Sequence, residues 1–476
     1  MKEYLLPTRI VDYQGVNNVD ALFIDKGFYA HHNGASEEWD KLYTKMIGKG
    51  SYIVLDFGQE MSGGVIFFTG WIYEASCKIR IRFGESLGEV NSNLGEKGAC
   101  NAHSPRDFET IICSSGDNLV GQTGFRFVRI DVLEDKYIYF RNVVCENNIY
   151  SAKQIYDYQG NDKRIKDIFN TAKRTIDLCA GTGYIWDGVK RDRLVWLGDM
   201  APEVMALSTL YGQCDDVVIS SLEQAKKSFP LPRYLNDIYT YSMWLLIIAH
   251  DYYKDFNNVE YVKANLEYYS KLVHQMLELI DKNGNINKKH RYIVDWPTVG
   301  TVDEETGVKM IFLMAMNKAI DLFSEFKVDA SDALEIKRRI LLNPIVVKEK
   351  KQVVALKYFA TGELKDEEYQ LLIKDGANGF STFMSYYILS TIAARDEQLA
   401  INLMKDYYGA MLDKGATTFF EDFDIAWCKD SGRIDELDIT KKDIHGDFGK
   451  YCYVGYRHSL CHGWSSGVIK FIKEHC

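Results

Sequence analysis

The first 150 residues alternate apolar and polar side chains with the period of β-strands. In Lys78–Phe83, the apolar residues Ile79, Ile81 and Phe83 alternate with basic ones, the pattern of a strand with one buried face. Further short runs, separated by Gly, Asn and Ser, lie at Ser51–Phe57, Val65–Trp71, Phe108–Cys113, Phe125–Val132 and Tyr137–Val144. Several strands at this spacing predict a β-sandwich domain over residues 1–150.

From about Asn161 the apolar residues recur with the period of an α-helix. One face of the first helix carries Ile165, Ile168, Phe169, Ala172, Ile176 and Cys179, which is the i, i+3, i+4, i+7 pattern. Twelve such stretches predict twelve helices in residues 151–476. The predicted fold class is therefore mainly α with a β domain: an N-terminal β-sandwich followed by an (α/α)6 toroid of six helical hairpins. An open helical solenoid is the alternative, but no fixed-period repeat supports it.

Composition excludes several classes of protein. The chain has 476 residues, 46% of them hydrophobic and 26% charged, as in ordinary soluble globular proteins. No apolar run approaches the roughly 18 residues of a membrane helix, and the first residues lack the apolar core of a secretory signal. We therefore expect a cytoplasmic protein with no membrane partner. The net charge of −10 argues against a nucleic-acid partner, because such binding depends on clustered cations.

The cysteines and glycines predict neither a metal nor a cofactor. None of the ten cysteines forms a CxxC pair, and no Cys/His quartet has zinc-finger spacing. Phosphate-binding glycine loops are also absent. The segment Gly463–Gly467 matches GxSxG by letters, but the nucleophile Ser of that motif needs a preceding strand and a later Asp, which are missing.

Two loops concentrate charged and aromatic residues where the helical pattern breaks. Trp186–Asp199 holds three acids, three cations and two Trp, so its cations can hold two carboxylates ionised while a third serves as an acid. Gly415–Asp424 places Glu421 among three Phe residues, an apolar surrounding that raises a carboxyl pKa. A solvated charged loop and a capping box at a helix start are the plain structural alternatives.

Three shorter features add to these loops. His458–Gly467 contains two histidines, Asp295-Trp296-Pro297 pairs an acid with an aromatic ring, and Asn236-Asp237 resembles a helix cap. Taken alone, each has a structural explanation. Together, two separated carboxyl loops and aromatic rings at the mouth of a toroid suggest glycoside hydrolysis, in which one carboxylic acid protonates the leaving oxygen and a second carboxylate activates water.

These motifs resemble the α-L-rhamnosidases of glycoside hydrolase family 78. The family pattern D-x-x-x-R-E/D-R-x-x-W-x-G-D matches Asp187–Asp199 at all seven specified positions. The patterns G-A-T-T-x-W-E and S-x-x-H-G-W-S-x-G are similar to Gly415–Glu421 and Ser459–Gly467. In the N-terminal domain, D-F-G-Q-x-x-S-G and T-G-F-R-x-V-R-I are similar to Asp56–Gly63 and Thr123–Ile130. The resemblance thus extends over both predicted domains.

The resemblance implies roles for ten residues of an inverting hydrolase. Asp192 would be the general acid and Glu421 the general base. The other eight would bind or line the sugar site: Asp187, Arg191, Trp196, Asp199, Asp295, Trp296, Phe420 and His462.

The sequence departs from the family pattern at four points. The acid is Asp192 where many members have Glu, and Phe420 replaces a Trp. Cys428–Tyr451 reads as an insertion that could overhang the cleft, and we expect none of the extra β-domains of most members within these 476 residues.

The function expected from the sequence is an inverting exo-glycosidase that removes terminal α-L-rhamnosyl, or closely related, residues. Its partner would be a carbohydrate substrate, and a homodimer is possible. Two alternatives stay open: another (α/α)6 enzyme, such as a uronyl hydrolase or a lyase, or a catalytically silent carbohydrate-binding protein.

Overall fold

The computed structural model describes residues 1–23, 40–451 and 453–476. In these residues an antiparallel β domain precedes a helical domain, as predicted. The strands are β1 (Lys2–Leu5), β2 (Arg9–Gln14), β3 (Val16–Asn17), β4 (Thr44–Ile47), β5 (Tyr52–Ile72), β6 (Ser76–Gly84), β7 (Asp107–Cys113), β8 (Asp117–Val132) and β9 (Tyr137–Asn148).

The nine described strands form one continuous sheet instead of two separate ones. Its order is β3-β4-β9-β5-β8-β6-β7, with β1 paired to β9 and β2 paired to β5. Continuity comes from β5, which has 21 residues and pairs with β2, β8 and β9. In β6 the predicted alternation holds at Lys78–Ile81, where Ile79 and Ile81 are buried and Lys78 is exposed, but it ends at Arg82, which is buried and paired with Asp131. The main hydrophobic core of the β domain contains Phe57, Phe67, Phe83 and Phe125.

Twelve helices of the helical domain are described, the number that the periodicity predicts. They are α1 (Lys163–Cys179), α2 (Met200–Tyr211), α3 (Asp215–Ser228), α4 (Tyr239–Phe256), α5 (Val259–Met276), α6 (Glu304–Glu325), α7 (Ser331–Ile340), α8 (Lys351–Thr361), α9 (Asp366–Ile373), α10 (Ser385–Ala393), α11 (Glu397–Asp413) and α12 (Val468–His475). A separate five-residue helix, Leu87–Asn91, follows β6.

The even-numbered helices form a closed inner ring. Each of them contacts the next, from α2 through α12, and α12 contacts α2. Ring closure identifies a toroid and excludes an open solenoid. The inner helices are packed on two sides, so α4 is buried almost all round. The outer helix α1 buries only one face, as its amphipathic sequence predicts.

The loops that precede the inner helices meet at one end of the toroid. Alternate helices of successive hairpins run in the same direction, so the N-termini of all six inner helices, α2, α4, α6, α8, α10 and α12, lie at that end. The loops Asp187–Asp199 and Gly463–Gly467 lead into α2 and α12. The fold therefore brings the sequence motifs together. No described helix is long and apolar enough to cross a membrane.

Candidate active site

A cavity of about 140 Å³ lies where these loops meet. Eight of the ten predicted site residues line it: Asp187, Arg191, Asp192, Trp196, Asp199, Trp296, Glu421 and His462. The remaining lining residues are Ile238, Tyr241, Arg291, Ile293, Tyr453 and Trp464. The cavity thus combines four carboxyl groups with a wall of aromatic rings.

Arg191 joins the two predicted catalytic carboxylates. Its Nη1 donates to Asp192 Oδ1 at 3.1 Å, and its Nη2 donates to Glu421 Oε2. Its Nε donates to the carbonyl oxygen of Arg457 at 2.9 Å, and its guanidinium lies 3.9 Å from the ring centre of Tyr453. Such a planar group with several fixed donors can hold two carboxylates at a set distance, which a lysine cannot do.

Asp192 and Glu421 differ in their surroundings. The Asp192 side chain is 10% exposed, and a second cation, His103 of the β domain when protonated, lies 3.4 Å from its Oδ1. Glu421 is more deeply buried, and its Oε2 also accepts from the Ser459 backbone N–H at 2.9 Å. Its carbonyl oxygen accepts from Thr382 Oγ1 and Trp464 Nε1 at 2.7 and 3.0 Å, so the backbone of Glu421 is fixed as well. Glu421 lies outside any helix, which excludes the capping-box interpretation.

Asp187 holds the loop that carries Asp192. Its Oδ2 accepts from the Asp192 backbone N–H and its Oδ1 from that of Leu194, both at 3.0 Å. Its own carbonyl oxygen accepts from the Gly463 N–H at 2.7 Å, which ties this loop to the segment before α12. Burial raises the pKa of Asp187 to about 7.

His462 lies among three acids at the floor of the cavity. Its Nε2 is 3.9 Å from carboxylate oxygens of Asp187, Asp199 and Glu421. Burial lowers the pKa of His462 to about 4, so the ring is neutral near pH 7 and can donate or accept a hydrogen bond. Burial also raises the pKa of Asp199 well above its usual range, while Tyr241 donates to its Oδ1 at 2.9 Å.

Two predicted residues lie outside the cavity lining. Asp295 is buried; its Oδ1 accepts from the Trp296 N–H at 2.8 Å and its Oδ2 accepts from Ser381 Oγ. Asp295 therefore shapes the turn that presents Trp296. Phe420 is 2% exposed and packs edge-on against Phe423, so it belongs to the core behind Glu421.

Sequence reasoning missed several residues of the cavity. Tyr241 and Arg291 lie outside every motif, and only the fold brings them near the carboxylates. Trp464 lies in a recognised motif, and Tyr453 follows the segment read as an insertion. That segment does not simply overhang the cleft, because the Leu87 N–H donates to the Ile434 carbonyl oxygen at 2.8 Å, which ties it to the β domain.

Comparisons with known proteins agree with this architecture. Residues 24–147 match the family model described as glycosyl hydrolase family 78 alpha-rhamnosidase N-terminal domain. No curated protein sequence matches the chain. Among solved structures, the rhamnosidase from Klebsiella oxytoca with rhamnose bound is similar, with a TM-score of 0.75, 18% identity and coverage of 100% of this chain and 96% of that chain.

Two larger proteins contain the same fold. The family 78 rhamnosidase of Bacillus sp. GL1 is similar with a TM-score of 0.69 and 17% identity, over 89% of this chain and 46% of that one. The Streptomyces avermitilis α-L-rhamnosidase complexed with L-rhamnose is similar with a TM-score of 0.56 and 13% identity, over 88% of this chain and 42% of that one.

The β domain, the toroid and the carboxylate-lined cavity at its end together define the architecture of a glycoside hydrolase of the α-L-rhamnosidase-like type. The predicted resemblance to glycoside hydrolase family 78 is confirmed by the family model in the N-terminal domain, and the predicted fold is confirmed by the similarity to rhamnosidase structures over the whole chain.

Proposed function

We propose that the protein is an inverting exo-glycosidase that removes terminal α-L-rhamnosyl, or closely related, residues from small glycosides or oligosaccharides. One observation carries the proposal: Asp192 and Glu421 lie on either side of a single guanidinium in a cavity lined by aromatic rings. Rhamnose is the sugar bound in two structures of similar fold.

In the proposed reaction Asp192 donates a proton to the glycosidic oxygen as its bond to the anomeric carbon breaks. Glu421 accepts a proton from a water molecule, which attacks the anomeric carbon from the opposite face. Inversion needs carboxyl groups roughly 6.5–9.5 Å apart, whereas retention needs about 5 Å. A guanidinium between the two carboxylates favours the wider separation, because it keeps them out of direct contact.

The size of the cavity supports removal of a single terminal sugar. Its volume of about 140 Å³ is smaller than the roughly 300–1,000 Å³ of pockets for drug-sized ligands. Trp196 and Trp296 offer flat apolar faces to a sugar ring. Asp187, Asp199 and His462 offer hydrogen-bonding groups to its hydroxyls, and we propose that these three bind the sugar.

One feature favours a second candidate function. The exposed Arg291 lines the cavity, and none of the described acidic side chains forms an ion pair with it. Such a cation suits the carboxylate of a uronic acid, so a uronyl hydrolase is the alternative substrate class.

The test is hydrolysis of a panel of aryl glycosides, led by p-nitrophenyl α-L-rhamnoside and including a p-nitrophenyl uronide. Proton NMR of the first product identifies the anomer, and inversion predicts initial formation of β-L-rhamnose. Release of the α anomer first would contradict inversion. Inactivity on the whole panel, with L-rhamnose binding retained in calorimetry, would favour a silent binding protein.

A further inference from the structure

A buried cluster of charged side chains lies between the β domain and the two loops of the candidate active site. Glu85 and Glu89 follow β6, and their side chains are inaccessible to solvent. Lys190 Nζ lies 2.9 Å from Glu85 Oε2 and 3.2 Å from Glu89 Oε1. His445 Nε2 lies 3.5 Å from the same ammonium group, and burial lowers the pKa of His445 well below its usual range.

The ligand atoms of Glu85, Glu89 and His445 lie close enough together to hold a metal ion. The Lys190 ammonium, however, already lies within hydrogen-bond reach of all three side chains. The positive charge that this acidic cluster needs is therefore supplied by the protein itself.

Lys190 holds a segment that passes beside the catalytic carboxylates. This segment, residues 455–462, is called the strap below. Lys190 Nζ donates to the carbonyl oxygens of Tyr456 and His458 at 2.9 and 2.8 Å. The adjacent Arg191 donates to the carbonyl oxygen of Arg457. Two consecutive cations of the Asp192 loop thus bind the carbonyl oxygens of three consecutive strap residues, 456–458.

Glu85 holds the same strap from the side of the β domain. Its Oε1 accepts from Ser459 Oγ at 2.8 Å, and its Oε2 accepts from the Leu460 N–H at 2.6 Å. The Ser459 N–H in turn donates to Glu421 Oε2. The peptide unit between His458 and Ser459 therefore connects Lys190 to Glu421, because its carbonyl oxygen accepts from Lys190 and its N–H donates to Glu421. Ser459 also connects Glu85 to Glu421, through its hydroxyl and its backbone N–H.

From these contacts we propose that Glu85 and Lys190 are positioning residues: they place Asp192 and Glu421 through the strap and make the β domain part of the active site. The proposal rests on the catalytic roles assigned above to those two carboxylates. Misplacement by about 1 Å can lower a rate on the order of 10²-fold. Replacing both members of a buried ion pair by uncharged groups is often neutral for stability, whereas removing one partner is not. Because Glu89 also pairs with Lys190, the variant that separates positioning from folding replaces all three charges together, as Glu85→Gln/Glu89→Gln/Lys190→Met.

The test compares Glu85→Gln/Glu89→Gln/Lys190→Met with the wild type and with a matched control. The control is Lys357→Met/Glu368→Gln, a buried ion pair of the toroid with an Nζ–Oε1 distance of 2.6 Å and side chains 4% and 7% exposed, outside the cavity lining. Neither variant leaves a buried charge of its pair or cluster without a partner, so both should keep a melting temperature near that of the wild type. We expect kcat on p-nitrophenyl α-L-rhamnoside to fall on the order of 10²-fold in the first variant and to stay within twofold in the control.

A second measurement tests the ordering of the strap without depending on catalytic activity. Hydrogen–deuterium exchange of peptides covering the strap should become faster in Glu85→Gln/Glu89→Gln/Lys190→Met, at Leu460 above all, and stay unchanged in the control. A folded first variant with kcat within threefold of the wild type overturns the proposal. If the wild type hydrolyses nothing on the panel, the proposed function fails. The exchange data alone then decide whether Glu85 and Lys190 order the strap. Unchanged exchange in that case overturns the positioning role of these two residues.

Discussion

Arg191 and Glu421 are joined by a buried hydrogen bond from Nη2 to Oε2, although 230 positions separate them in the chain. The same guanidinium donates to Asp192 Oδ1 and packs against the ring of Tyr453. One side chain thereby determines the relative position of both carboxylates. A change at Arg191 should therefore affect the chemical step more than substrate binding.

Arg191→Lys and Arg191→Met should each lower kcat on the order of 10²-fold, because misplacing catalytic groups reduces the rate by roughly that factor. Lysine should not rescue activity, since one ammonium cannot reproduce the planar fork that reaches Asp192, Glu421 and the Arg457 carbonyl oxygen together. The measurement is kcat on p-nitrophenyl α-L-rhamnoside with the melting temperature recorded in parallel.

The neighbouring Arg193 is the matched control for this prediction. It donates to the Gln122 carbonyl oxygen at 2.6 Å and packs over Trp186, away from both carboxylates. Arg193→Lys should keep kcat within about threefold of the wild type, because it changes no contact of the carboxylates. A wild-type kcat in Arg191→Lys would refute the bridging role of Arg191.

Asp192→Asn and Glu421→Gln should each reduce kcat by about 10²–10⁴-fold, the usual contribution of a general acid or base. The two variants should differ in their dependence on the leaving group. Asp192→Asn should lose less activity on a p-nitrophenyl rhamnoside than on an alkyl rhamnoside, since p-nitrophenolate leaves without protonation. Glu421→Gln should lose equally on both. Equal losses in Asp192→Asn would show that Asp192 is not the proton donor.

The hydrophobic periodicity of the sequence predicts the number and type of the helices, but not every feature of the fold. The period of 3.6 predicts all twelve described helices, but not their ends. Asn236-Asp237 resembles a helix cap in the sequence, but α4 begins only at Tyr239, because Asn236 and Asp237 have φ angles of 53° and 56°, which a right-handed α-helix does not contain. Strand pairing is also invisible to periodicity. The sharing of β5 by several partners, which joins the sheet into one, depends on contacts far apart in the chain.

The candidate site was predictable from the sequence where several charged side chains lie in one loop. Asp187, Arg191, Asp192 and Asp199 all reach the cavity from such a loop. Asp295 shows the limit of prediction from a motif. A motif indicates which residues lie near the cavity, but not whether a given side chain points into it. Arg291 and Tyr241 show the converse, because no local pattern surrounds them. Glu85 could be found only from the packing of the β domain on the strap.

The wall of aromatic rings leads to a prediction about binding. Trp196 lines the cavity and meets Tyr241 edge-on, with ring centres 6.1 Å apart. Trp196→Ala should raise KM for p-nitrophenyl α-L-rhamnoside by about tenfold, because it removes an apolar face from the sugar, while kcat falls less. Trp71→Ala is the control, since that ring is 42% exposed on the β domain. A rise in KM in both variants would point to a general loss of structure.

Asp295 leads to a prediction about stability and pH. Burial raises its pKa from 3.8 to about 7, so the folded protein binds this proton more tightly than the unfolded chain does. The cost of ionising Asp295 is absent below about pH 4, grows as the pH rises towards 7, and is constant above that. Asp295→Asn removes this titration, and its amide can still pair with Ser381. Relative to the wild type, the variant should therefore gain free energy of unfolding on the order of 2 kcal/mol between pH 5 and pH 8.

Urea unfolding at the two pH values measures this difference, and kcat of Asp295→Asn should stay within tenfold of the wild type because the residue does not line the cavity. Asp281→Asn is the control, because the pKa of Asp281 is shifted in the opposite direction from that of Asp295. Hydrogen bonds from Asn285 lower the pKa of Asp281, so that residue is ionised in both the folded and the unfolded chain throughout this pH range. The difference in unfolding free energy between Asp281→Asn and the wild type should then be the same at pH 5 and pH 8. An equally constant difference for Asp295→Asn would mean that Asp295 is ionised in the fold at pH 5, and that its carboxylate is stabilised by its donors in spite of burial.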